Sequence, residues 1–208
     1  MAPKRKKTVM NNDINNWKEA SEKMRNQKDC LCCWAIVVAA AIESRYNIID
    51  KPSGENITVS PHDLLDNYLT DDQAEQLGKD GTCLEEMGVS PVGPRGCFSA
   101  RPIEVLRSVI KYGCVEESNS NQFIAKKQCN TPNRKAEFKV GNLEEISDIW
   151  EAVGKQPVIA TLLLTQAFYN LKNDSIYKGS IRAKDLKDNS YHSVLVVGPG
   201  KKKLKEKW

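Results

Sequence analysis

Apolar positions along this chain follow a helical period first and a strand period later. From Trp34 to Ile42 almost every residue is apolar, with Ala39-Ala40-Ala41 in the run. This predicts a helix from near Cys32 to about Arg45, buried on most sides. Ser60-Pro61-His62-Asp63 predicts a second helix: Ser60 caps, Pro61 takes the first turn and Asp63 completes a capping box. Ile103, Leu106, Val109 and Ile110 share one face of a third helix, Pro102 to Tyr112, stopped by Gly113. Leu143 to Val153 repeats that pattern, with Ile146, Ile149 and Trp150 inward and Gly154 as the stop. Then the period shortens. Val158 to Leu164 and His192 to Val197 are short apolar runs of strand type. Tyr177-Lys178-Gly179-Ser180-Ile181 reads as strand and turn. Residues 70 to 96 read as a long loop, and 116 to 142 as polar and irregular. Residues 9 to 26 are polar, with Trp17 as the aromatic anchor.

Helices in the first part and strands in the last part predict an α+β fold in two lobes. The boundaries are a basic and polar flexible head at 1–16, a helical lobe at 17–130, a β-rich lobe at 131–200 and a basic tail at 201–208. A chain of 208 residues has room for two lobes around a shared cleft. No internal repeat is visible.

Charge changes the picture little. The net charge is +4, but Lys4, Arg5, Lys6, Lys7 and five lysines of the tail account for it. Without those residues and Glu206, 22 basic and 26 acidic residues remain of the 31 and 27 in the chain. The body therefore offers no basic face for nucleic acid. No segment reaches the roughly 18 consecutive apolar residues that a membrane span requires. The N-terminus lacks the apolar core of a secretory signal, which points to the cytoplasm or nucleus.

Candidate chemistry centres on cysteine. Cys30, Cys32, Cys33, Cys83, Cys97, Cys114 and Cys129 make seven, an odd number, so at least one thiol is left over. Cys33 stands at a helix entrance, where negative charge is favoured, and thiolate is the nucleophilic form. A cysteine nucleophile needs a base. His62, in the first turn of a predicted helix, reads as a surface helix start. His192, after Tyr191 at the beginning of a strand, reads as the base facing a cleft. A reaction at a carbonyl also needs donors aimed at the oxyanion. The Gln27 amide, six residues before Cys33, and the Cys33 N–H can supply two. No cofactor is implied, and no second close Cys/His pair exists for zinc.

Cys30-Leu31-Cys32-Cys33-Trp34 resembles the Cys-Gly-Ser/Ala-Cys-Trp/Tyr segment of papain-like cysteine proteases, the cathepsin family. His192 lies 159 residues beyond Cys33, and the 70–96 loop accounts for the extra length. Val59 to Asp66 resembles the family's serine-started helix. Gly96-Cys97-Phe98-Ser99-Ala100 lies where the family has Gly-Cys-Asn-Gly-Gly, and Gln156-Pro157-Val158 and His192 to Gly198 also match. The resemblance runs in order from about Trp17 to Gly200.

It implies a papain-like two-lobed fold with a helical first lobe and a β-barrel-type second lobe. It also implies peptide-bond hydrolysis by Cys33 and His192, with Gln27 in the oxyanion hole. Ser99, Ala100 and Tyr191 would line the substrate cleft, and Cys30 would bridge to Cys97. Cys129 would be free, or bridged to Cys83 or Cys114. Cys32 replaces a small residue and would serve packing. Expected partners are peptide or protein substrates and cystatin-like inhibitors, not nucleic acid or membrane, and the chain would be a monomer. Family precedent places such enzymes in lysosome or vacuole or outside the cell.

Four departures stand against this pattern. The Asn-Ser-Trp-Gly segment that orients the histidine is missing before Trp208, so the chain reads as C-terminally truncated and the barrel as incomplete. Leu31 replaces a glycine beside the cleft. Phe98-Ser99-Ala100 adds bulk where backbone must approach a ligand. No propeptide is visible. Weak activity is therefore expected. Two rival readings remain: a catalytically impaired pseudoprotease serving as an interaction module, and a redox protein using Cys30-Leu31-Cys32-Cys33 as a C-x-x-C pair.

Overall fold

The computed structural model describes residues 17, 25–28, 30–49, 56–67, 100–118, 135–172, 175–179 and 190–198. The basic head and tail, the 70–96 loop, Cys83, Cys97, Ser99, Cys129 and Ile181 lie outside the described residues.

The long helix α1, Cys33–Ile49, is the centre of the packing. Trp34, Ala35, Val38 and Ala39 are all fully buried in it, as the unbroken apolar run predicted. Each buried large aliphatic side chain contributes roughly 1.5–3 kcal/mol relative to exposure. Helix α1 runs four residues past the expected end at Arg45. Asn47 is the reason: its side-chain amide exchanges two hydrogen bonds with the Ile57 backbone, at 2.9 and 3.2 Å. A distant segment thus holds the last turn, and helical periodicity alone carries no trace of it.

Two short helices pack on α1: α2, Pro61–Asn67, and α3, Pro102–Tyr112. Ser60 Oγ accepts the Asp63 N–H at 3.2 Å, so the predicted cap is made. The Ser60 N–H goes to the Val115 carbonyl and the Val115 N–H to the Asp63 carboxylate, which docks the cap on a second segment. Helix α3 has the predicted ends, but its most buried line is Val105 and Val109, while Ile103, Leu106 and Ile110 are half-buried. Gly113 follows with φ of 69°. A Cβ there would meet Ala136 Cβ at 2.7 Å and the Phe138 carbonyl at 2.8 Å, so only glycine fits this turn.

The later elements are α4, Ile149–Val153, strand β1, Val158–Leu164, α5, Gln166–Tyr169, and strand β2, Ser190–Val196. The expected helix from Leu143 is reduced to its last turn and a half, and Ile146, Ile149 and Trp150 are exposed, not inward. Asp148 explains both facts. Its carboxylate accepts the N–H groups of Trp150 and Glu151 at 2.9 and 3.2 Å, starting a new helix instead of continuing one. Gly154 ends that helix as expected. Trp17 is the anchor the sequence suggested, donating its indole N–H to the Val153 carbonyl at 2.8 Å. Strands β1 and β2 pair antiparallel, with Val158 opposite Val196 and Leu162 opposite His192. Among the described residues, Tyr177 to Gly179 form no strand. Helices and an antiparallel sheet together give the expected α+β fold, and α1 packs against both.

Arg25 closes this framework. Its guanidinium is buried and bonds to the Glu43 carboxylate at 2.7 and 3.2 Å, to Glu117 at 2.6 Å and to the Val59 carbonyl at 3.1 Å. Burial alone would lower the arginine pKa, but the bonds to Glu43 and Glu117 outweigh it and raise the value. Deleting one member of a buried ion cluster strands the others. Arg25→Met is expected to lower unfolding stability by about 3–5 kcal/mol in urea melts. Arg101→Ala, which removes an exposed pair with Glu104, should leave the midpoint unchanged.

Candidate active site

The approach to α1 is a tight turn. Asn26 Oδ1 accepts the Lys28 N–H at 2.8 Å, and the Cys30 N–H bonds to the Gln27 carbonyl at 3.0 Å. Lys28 has φ of 50°, a left-handed conformation that costs a non-glycine residue roughly 1–2 kcal/mol. Those two hydrogen bonds hold it there. Gln27 therefore occupies a fixed bend just before the helix, half-buried.

The four residues from Cys30 to Cys33 alternate. Cys30 is 1% exposed, Leu31 49%, Cys32 0%, and Cys33 is half-buried. Cys33 is thus the accessible one of the three thiol positions, and it is the first residue of α1. The Cys32 carbonyl accepts the Ala35 and Ile36 N–H groups at 3.0 and 3.2 Å and so begins the helical bonding. Burial, and then the neighbouring Cys33, push the Cys32 thiol up to about 12. Cys32 is a core residue in this state, as expected. Leu31 stands out beside Cys33, where the sequence placed its extra bulk.

His192 is the third residue of β2 and half-buried. Burial pulls its imidazole below the ordinary value, so at neutral pH it is uncharged and able to accept a proton. Helix α1 packs on β2, which brings the elements bearing Cys33 and His192 into contact. Alternation puts Tyr191, Ser193 and Leu195 on one face of β2 and His192, Val194 and Val196 on the other. Leu195 and its partner Ile159 pack against the α1 core. Tyr191 is 76% exposed.

Other sequence expectations fare unevenly. Ala100 is half-buried against the core, whereas Ser99 lies outside the described residues. Cys30 is in a disulfide whose partner also lies outside them. Cys32, Cys33 and Cys114 carry reduced thiols. Cys114 is therefore not the bridge partner that was one option for Cys129. Nor do Cys30 and Cys33 form a C-x-x-C couple, because one is a half-cystine and the other a thiol.

His62 is the clearest correction: it is 2% exposed, not a surface residue. The whole first turn of α2 is buried, because Val59 bridges to Glu116 and pulls the helix start inward. Sequence reading also missed Arg25. The available signal was Glu43, the lone acid of its helix, placed directly after the apolar run from Trp34 to Ile42, which burial would oblige to find a cation. Among the described residues, no group of three or more Cys, His, Asp or Glu side chains is placed to hold a metal ion. No helix among them is long and apolar enough to cross a membrane.

A family profile described as papain family cysteine protease matches residues 10–208. The chain belongs to the papain family of cysteine proteases.

Solved structures agree on the fold. Bromelain from Ananas comosus in complex with the E64 inhibitor is 19% identical with a TM-score of 0.58, over 90% of this chain and 75% of that one. The ragweed pollen protease Amb a 11, in its proform, is 20% identical with a TM-score of 0.58, over 89% of this chain and 50% of that one. Procathepsin B from Trypanosoma congolense is 17% identical with a TM-score of 0.60, over 96% and 65%. No curated protein matches the chain in sequence. As a papain-family protease, the chain has peptides or proteins as its substrate class.

With the His192 pKa lowered in the folded state, the unfolded chain takes up this proton at the higher pH. The histidine's contribution to stability is then full above about pH 6.5 and declines as pH falls below it. A ring-proton NMR titration of His192 should give a midpoint below about 6.5. A midpoint above it would mean that an anionic partner, such as the Cys33 thiolate, holds the imidazolium.

Proposed function

We propose that this papain-family chain cleaves peptide bonds with Cys33 as nucleophile and His192 as its base. The carrying observation is that Cys33 is an accessible reduced thiol at the start of the helix that packs on the His192 strand. His192, neutral at working pH, takes the thiol proton. The thiolate attacks the substrate carbonyl, and the oxyanion is held by the Gln27 side-chain amide and the Cys33 N–H. His192 then returns its proton to the leaving amine, and water releases the acyl group by the reverse sequence. Ser99, Ala100 and Tyr191 line the cleft between a helical lobe at 17–130 and a β-rich lobe at 131–200. Cys30 bridges to Cys97 and keeps the nucleophile's loop in place. The enzyme acts as a monomer, and cystatin-like inhibitors block the cleft.

Productive contact requires the His192 end of β2 to turn toward α1, because Leu195 packs on that helix from the opposite face of the strand. The same observation favours the second reading, an impaired pseudoprotease whose cleft binds peptides without cutting them. Activity should accordingly be weak.

A thiol-directed epoxide separates the two. Selective labelling at Cys33 is expected, falling about 10²-fold or more in His192→Ala. Gln27→Ala should lower peptide kcat by about 10²–10³. Labelling of Cys33 at the rate of the other thiols, with no effect of His192, would sink the peptidase reading.

A further inference from the structure

Hydrolysis uses one thiol, yet two adjacent ones stand at the start of α1. Neither Cys32 nor Cys33 is in a disulfide, and their access differs sharply: Cys32 is 0% exposed and Cys33 half-buried. An oxidant from solution therefore reaches Cys33 first. Cys32 sits one peptide unit away, shielded by the core it packs in. Such a neighbour is present at very high effective concentration and needs no collision to react.

We propose that Cys32 is a resolving thiol, closing a vicinal disulfide with Cys33 once a hydroperoxide has oxidised it. The proposal rests on the reading of Cys33 as the reactive nucleophile. In the first step the Cys33 thiolate attacks one oxygen of the hydroperoxide. The O–O bond breaks, Cys33 becomes a sulfenic acid, and the other oxygen leaves as water or alcohol after taking a proton. In the second step the Cys32 sulfur gives up its proton and attacks the Cys33 sulfur. The S–O bond breaks, and hydroxide departs with that proton as water. Two thiols lose two electrons, and the hydroperoxide gains them.

The local structure suits this order of events. Burial keeps Cys32 protonated and inert at rest, and ionisation of its neighbour Cys33 raises its pKa further. Once Cys33 is a neutral sulfenic acid, that second influence is absent and burial alone holds the Cys32 proton. Adjacent Cα atoms lie about 3.8 Å apart across a trans peptide. Ordinary disulfides span about 4.4–6.8 Å. A closed Cys32–Cys33 ring is therefore strained and easily reduced, as labile regulatory disulfides are. Closure also twists the Cys32 carbonyl that begins α1 through Ala35 and Ile36. The nucleophile is thereby masked, its helix entrance loosened, and irreversible oxidation forestalled.

The test treats the full chain with hydrogen peroxide, alkylates the remaining thiols and maps the tryptic segment Asp29–Arg45 by mass spectrometry. In the wild type, Cys32 and Cys33 should both resist alkylation with no oxygen added, and dithiothreitol should restore both. In Cys32→Ser, and equally in Cys32→Ala should the serine misfold, Cys33 should gain two or three oxygens that dithiothreitol cannot remove. A Cys114→Ser chain should still close the vicinal bond. Equal over-oxidation with and without Cys32, or a bridge from Cys33 to Cys114, would overturn the proposal. Epoxide labelling of the untreated chain reports on the nucleophile separately. A chain that closes the disulfide yet ignores the epoxide loses the peptidase reading and keeps the dithiol.

Discussion

One buried guanidinium organises the first part of this molecule. Arg25 binds Glu43 in the third turn of α1, Glu117 after α3, and the Val59 carbonyl before α2. Glu43 in turn accepts the Val59 N–H at 2.8 Å. Four segments far apart in sequence thus meet at one charge cluster. Two carboxylates taken out of water without a cation would carry a heavy desolvation cost, so the cluster tolerates no partial assembly. Arg25 also lies two residues before Gln27. The bond network that fixes the framework therefore fixes the position from which the turn at Gln27 to Cys30 departs.

Helix α1 carries that order to the chemistry. Its interior residues build the core with α2 and α3, and its first residue is Cys33. A buried helix is a poor place for loose side chains, because close-packed interiors leave few alternative rotamers. The thiol at its mouth inherits this rigidity while remaining reachable. The vicinal Cys32 belongs to the core and Cys33 is half-buried, so one peptide bond separates a fully packed thiol from an accessible one. The histidine side is less constrained by comparison. Its strand pairs with β1 alone among the described residues, and burial is the influence that shifts its imidazole.

Much of the fold was legible in the chain. The bounds of α3 and the run of β1 agree with the apolar spacing, and the Ser60 cap and the Gly113 and Gly154 stops are made as their chemistry demands. These are local features, decided within a few residues. The misreadings have two sources. Asp148 could continue a helix or start one, and His62 could face solvent or core. Asn47 could end a helix or extend it. In each case a contact from a distant segment, or competition between a side chain and the backbone, made the choice.

The order of motifs from Trp17 to Gly200, with Cys33 before Trp34 and a strand at His192, was enough to establish the papain-family membership and the α+β architecture, because each rests on residue type and spacing. Tertiary structure decided which of three clustered cysteines stays accessible, which acids pair with Arg25, and which face of β2 meets α1. Those outcomes depend on burial and on partners dozens of residues away, and a charge or thiol acquires its character from the surroundings that only folding assembles.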